Sequence, residues 1–74
     1  MAIKVKKEML DLAIKEYGEG KAYILAQKMG IHTSYISGIR KHNKPVGAKF
    51  IRKFMNIMRL SFDSLFYYEE EEEK

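Results

Sequence analysis

An all-α domain of five short helices is the fold this sequence predicts, and three observations predict it. Apolar residues recur at three- and four-residue spacing in successive segments, the period of a helix with one buried face. Gly18, Gly20, Gly30, Pro45 and Gly47 stand between those segments, where glycine and proline interrupt helices. No run alternates apolar and polar residues for more than a few positions, so no strand is expected. The chain has 74 residues, which allows one domain. A domain near this size buries only about 60% of the surface its unfolded chain exposes, so short local helices or a second subunit would help it. Residues 1–68 are expected to form the domain and residues 69–74 an acidic flexible tail.

A first helix is predicted over residues 3–17, with Leu10, Ile14 and Tyr17 on one face and Met9 and Ala13 beside them. The sequence Gly18-Glu19-Gly20 stops it, because glycine costs a helix about 1 kcal/mol per residue. Residues 21–29 form a second helix with Ile24, Leu25, Ala26 and Met29 apolar. Gly30 follows as a residue that tolerates positive φ after a helix end. A third helix covers residues 33–40, capped by Thr33 or His32, with Ile36 and Ile39 inward. Residues 41–45 make a polar loop, and Pro45 cannot continue a helix. Residues 47–58 give a fourth, amphipathic helix through Phe50, Ile51, Phe54, Met55 and Met58. Ser61-Phe62-Asp63-Ser64 reads as the start of a fifth helix through Leu65 and Phe66.

Charge is unevenly placed. The formal net charge is +4, but residues 69–74 hold five glutamates and one lysine, leaving 13 Lys/Arg against five Asp/Glu in residues 1–68. Between Glu19 and Asp63 there are nine Lys/Arg and no acidic residue. So many like charges repel one another, and a polyanion would relieve that. Nucleic acid is the leading candidate for that partner, with an anionic membrane surface second.

Other classes are excluded or disfavoured. No cysteine is present, which removes disulfide scaffolds and thiolate metal sites. His32 and His42 are ten apart with no carboxylate nearby, which is not ligand spacing, so no metal is expected. Nothing resembles a nucleophile with its base, a phosphate-binding glycine loop or a carboxylate pair, so an enzyme is not expected. No cofactor and no small-molecule ligand are expected. No apolar run approaches the ~20 residues of a membrane span, and no signal peptide is evident. A cytoplasmic, nucleoid-associated protein is the expectation.

The informative stretch is AYILAQKMGIHTSYISGIRK, residues 22–41. Two helices flank Gly30, and Ala26 stands four residues before it. A helix-turn-helix needs a small residue where its helices cross and a glycine in its turn. Leu25, Met29, Ile31, Ile36 and Ile39 then point to a shared interior. On LAQKMGIHTSYISGI, Asn43-Lys44-Pro45, the helix of residues 51–58 and Leu60-Ser61-Phe62-Asp63-Ser64-Leu65, the chain resembles the Cro/repressor class of DNA-binding domains, the lambda-repressor-like fold. The resemblance covers about residues 5–66.

That resemblance implies five helices with a central helix-turn-helix, and a transcriptional regulator of phage or plasmid type, commonly dimeric. It implies that Thr33, Ser34 and Gly38 face base edges, with His32, Ser37 and Lys41 beside them. Lys21, Ala22, Tyr23, Asn43 and Lys44 match positions that grip phosphates. Many relatives carry glutamate where this chain has Arg40, and Gly38 has no side chain at a usual reading position. Base reading is thus expected from Thr33, Ser34, Ser37 and Arg40 around Gly38, and phosphate contact from Lys21, Tyr23, His32, Lys41, Asn43 and Lys44. Tyr35 is read either as a base-stacking ring or as cover for the core edge.

The aromatic cluster Phe62, Phe66, Tyr67 and Tyr68 exceeds what one short helix can hide, and Phe50 and Ile57 lie off the best inward stripe of the fourth helix. A homodimer interface through Ile57, Phe62, Phe66 and Tyr67 is therefore expected. Two other functions fit the same fold. One is a protein-interaction module, antitoxin-like or antirepressor, using the apolar C-terminal face. The other is an RNA binder that stacks bases on its five tyrosines.

Overall fold

The computed structural model describes residues 1–70. The chain runs β1 (Ala2–Val5), α1 (Lys7–Tyr17), α2 (Ala22–Met29), α3 (Thr33–His42), α4 (Ala48–Met58), α5 (Phe62–Leu65) and β2 (Phe66–Glu69). The fold is mostly helical, but the all-α expectation fails at both ends. β1 and β2 pair antiparallel, with Val5 opposite Phe66, Lys4 opposite Tyr67, Ile3 opposite Tyr68 and Ala2 opposite Glu69. The helix expected from residue 3 therefore begins at Lys7, and the fifth helix ends at Leu65 rather than carrying Phe66.

The strand register sorts the side chains. Val5 and Phe66 share the inner face and are both 2% exposed. Lys4 and Glu69 share the other face and form an ion pair at 2.8 Å. Glu69 is thus part of the sheet, so the folded unit reaches past residue 68 and the acidic tail does not begin there. Residues 71–74 of that expected tail lie outside the described residues. The far edge of β1 is also used: the Val46 N–H donates to the Ile3 carbonyl at 2.9 Å, tying the loop after α3 to the strand.

The helix ends follow their backbone chemistry. Gly18 closes α1 where a Cβ would meet the Lys21 carbonyl oxygen at 2.6 Å and the Ile14 carbonyl oxygen at 2.8 Å, so only glycine fits. At the end of α2, Gly30 has φ +70°. Its N–H reaches the Gln27 carbonyl at 3.1 Å and the Ile31 N–H reaches Ala26 at 3.0 Å. That pair of bonds is a Schellman stop. Lys53 Nζ on α4 donates to the Gly30 carbonyl at 3.2 Å, placing a cation at the negative end of α2.

Arg59 ends α4 at φ +57°, in the left-handed region without being glycine. Left-handed backbone costs a side-chain-bearing residue roughly 1–2 kcal/mol, partly offset in glycine by its greater unfolded freedom. Arg59→Gly should therefore raise stability by about 0.5–1 kcal/mol. An unchanged or lower urea midpoint would show that the Arg59 side chain contributes contacts worth that strain.

The core joins every element. Phe54, Leu10, Leu25, Ile36 and Leu65 are fully buried, with Val5, Ala13, Ala26, Phe50 and Phe66 around them. Phe50 is buried, not off the inward stripe, because Tyr35 of α3 stacks on it with ring centroids 5.3 Å apart. Ala26 is 1% exposed. Ala26→Leu overpacks this site, at a typical cost of about 1–3 kcal/mol. Its melting midpoint should fall by roughly 5–15 °C for a domain of this size; no fall would mean that α2 has free space at Ala26.

Candidate functional site

α3 is held by one side and presents the other. Ile36 and Ile39 are buried, while Thr33, Ser34, Tyr35, Arg40, Lys41 and His42 are exposed and Ser37 and Gly38 half-exposed. Thr33, Ser34, Ser37, Gly38 and Lys41 are spaced to share one helix face. Apart from Lys41 at its C-terminal end, that face is short-chained and polar, so another molecule's surface can approach the α3 backbone closely. The sequence-expected reading residues Thr33, Ser34, Ser37 and Gly38 are thereby brought together, with Arg40 at the border.

Two recesses flank this ridge. On one side Lys7, Asp11, Ser37, Arg40 and Lys41 line a cleft of about 300 Å³. Lys7 was not singled out from the sequence, since it lies 33 residues before Arg40. Asp11 is the second surprise: the stretch without acids in sequence meets an acid in space, carried in by α1. On the other side Ser34, Tyr35, Gly38, Lys44 and Pro45 line a recess of about 430 Å³, with His32 at its rim. His32 occupies the N-cap position of α3 but its side chain makes no cap bond.

The loop after α3 is fixed along the flank of that helix. Asn43 reverses the chain at φ +51°. Its Nδ2 donates to Tyr67 Oη at 3.4 Å, which ties the α3 terminus to β2. Tyr35 Oη accepts the Gly47 N–H at 3.2 Å. Tyr35 therefore covers the core edge, stacked on Phe50 and bonded to the loop, while 40% of it stays exposed beside Ser34 and Gly38. Lys21 and Tyr23 are exposed at the start of α2, and Lys41, Asn43 and Lys44 at the end of α3 and beyond it.

The residues expected to join two copies do not form one exposed patch. Phe66 is a correction: it is 2% exposed. Its ring packs on Phe50, Phe54 and Phe62 at centroid distances of 6.5, 5.8 and 5.1 Å. Tyr67 is half-buried on the opposite strand face, turned toward Asn43. Ile57 and Phe62 are half-buried against the core. The aromatic side chain left outside is Tyr68, 59% exposed, with its ring 5.6 Å from that of Phe62.

Among the described residues no group of three or more His, Asp and Glu gathers as a metal site. No described helix is long and apolar enough to cross a membrane. No protein-family model, no curated protein and no solved structure matches the chain.

Proposed function

We propose that this protein is a sequence-specific duplex DNA-binding regulator of the lambda-repressor-like type. In this reading α2 and α3 form its helix-turn-helix, and α3 enters the major groove. One observation carries the reading: a short-chained polar face on α3, set by the Gly30 stop, with Lys7, Arg40 and Lys41 along its flank and C-terminal end. A helix in the major groove needs that division, because side chains on the ridge meet base edges while flanking cations meet phosphates. Thr33, Ser34 and Ser37 read bases; Lys7, Lys21, Arg40 and Lys41 hold the backbone. The bidentate fork of Arg40 suits phosphate as well as guanine.

A regulator that reads one half-site touches few base pairs, so a second copy belongs to the proposal. Phe66 and Tyr67 are engaged within the subunit, which leaves Phe62 and Tyr68 as the apolar groups for pairing. Tyr68 lies on the strand face opposite the one that meets Asn43, with Phe62 of α5 beside it, so pairing there leaves α3 open.

The test is selection of bound sequences from a random duplex pool, with single-stranded RNA as competitor. Enrichment of a consensus, lost or relaxed at particular base pairs in Ser34→Ala or Ser37→Ala, is the expected result. A pool that emerges unenriched rejects DNA reading and favours a protein-interaction module. Loss of duplex to the RNA competitor favours an RNA binder.

A further inference from the structure

Gly38 leaves a gap on the exposed face of α3, and a side chain from outside the helix fills it. A Cβ placed on Gly38 would lie 3.3 Å from Lys44 Cδ, 3.7 Å from Cε and 3.9 Å from Nζ. The distal half of Lys44 therefore lies against the helix, and its ammonium stands close to where a residue-38 side chain would begin. The backbone arranges this. Asn43 turns the chain back at the α3 terminus, and the loop is clamped farther along by the Gly47–Tyr35 bond and by the Val46–Ile3 bond. Lys44 lies between those ties, and the distal part of its side chain lies over the one α3 position without a side chain of its own.

Resting on the DNA reading above, we infer that Lys44 is a base-reading residue and not a phosphate clamp. Its ammonium substitutes for the missing side chain at position 38 and donates to the O6 and N7 acceptors of a guanine in the major groove. The ridge around it carries hydroxyls at Ser34 and Ser37, which discriminate bases weakly. Lysine on guanine O6/N7 is among the stronger specific contacts available to a groove-bound helix. Among the four bases, only guanine offers two adjacent major-groove acceptors with no donor beside them, so a cation delivered there selects a G·C pair. Gly38 is then the positioning residue. Its lack of a Cβ lets the Lys44 chain lie flat enough to reach the groove floor.

Two variants test this in the random-duplex selection. Lys44→Ala removes the ammonium. Gly38→Leu keeps the lysine but displaces it from the helix, and leucine is a better helix former than glycine, so folding is retained. Both should lose the same guanine from the consensus, with discrimination at that base pair falling about ten-fold or more. Lys41→Ala, the control, should weaken all duplexes and keep the consensus. If Lys44→Ala weakens every duplex equally and leaves the consensus intact, Lys44 holds a phosphate and the inference is overturned, while DNA reading stands. If Gly38→Leu leaves the guanine in place while Lys44→Ala loses it, the positioning role of Gly38 is overturned. If the unsubstituted protein enriches no sequence, the DNA reading itself fails and this inference with it.

Discussion

Phe66→Ala should bring the domain close to unfolding. The Phe66 ring is 2% exposed and meets Phe50, Phe54 and Phe62, so its loss opens a cavity shared by α4, α5 and β2. Truncating a buried phenylalanine costs about 3–5 kcal/mol. A domain of this length is stable by only about 4–11 kcal/mol in total. Urea unfolding should show a much lower midpoint with the slope preserved. Tyr68→Ala, two residues along the same strand but exposed, should stay within about 0.5 kcal/mol. Equal effects of the two substitutions would mean that the Tyr68 ring, on the same strand face as Phe66, contributes as much packing as the buried one.

That pair of residues also shows where sequence reading runs out. Helices announce themselves locally: the Gly30 stop, the apolar face of α4 and the inward Ile36 and Ile39 are all set by neighbours within a few positions. A four-residue strand has no such signature. Ala2–Val5 exists as a strand only because Phe66–Glu69, more than 60 residues away, pairs with it. Without that partner, four residues with one lysine read equally well as the first turn of a helix. Once β2 is missed, Phe66 and its neighbours look like surplus apolar surface, and a dimer interface is the natural inference. The sheet instead turns alternate residues apart, sending Phe66 inward and Tyr67 toward Asn43.

The candidate interface was legible to the same extent. The ridge residues Thr33, Ser34, Ser37 and Gly38 follow from helical period alone, once the helix start is known. Lys7 and Asp11 do not, because they reach the α3 flank through the packing of α1. Nor does the placement of Lys44, which depends on how the loop is tied to Ile3 and Tyr35. Charge counted along the chain locates a basic segment; only the fold decides which cations share a surface.

The surface so assembled gives the other large expected effect. Lys7, Arg40, Lys41 and Lys44 surround α3, and Lys21 stands at the start of α2. If the protein binds duplex DNA as proposed, these cations and the neighbouring lysines and arginines would neutralise about five to seven phosphates per protomer, and log K should then fall against log salt with a slope of roughly −4 to −6. Raising salt from 50 to 200 mM then weakens duplex binding by roughly 250- to 4,000-fold. Lys7→Ala and Arg40→Ala should each flatten the slope by about one unit. Asp11 works against the same phosphates from within the cleft, so Asp11→Asn should tighten binding to all duplexes alike without altering the consensus. A salt titration with a slope near zero would mean that this cluster of cations does not face DNA. A Lys7→Ala slope equal to that of the unsubstituted protein would confine the phosphate grip to α2 and α3, and would place the α1 side of the cleft outside the interface.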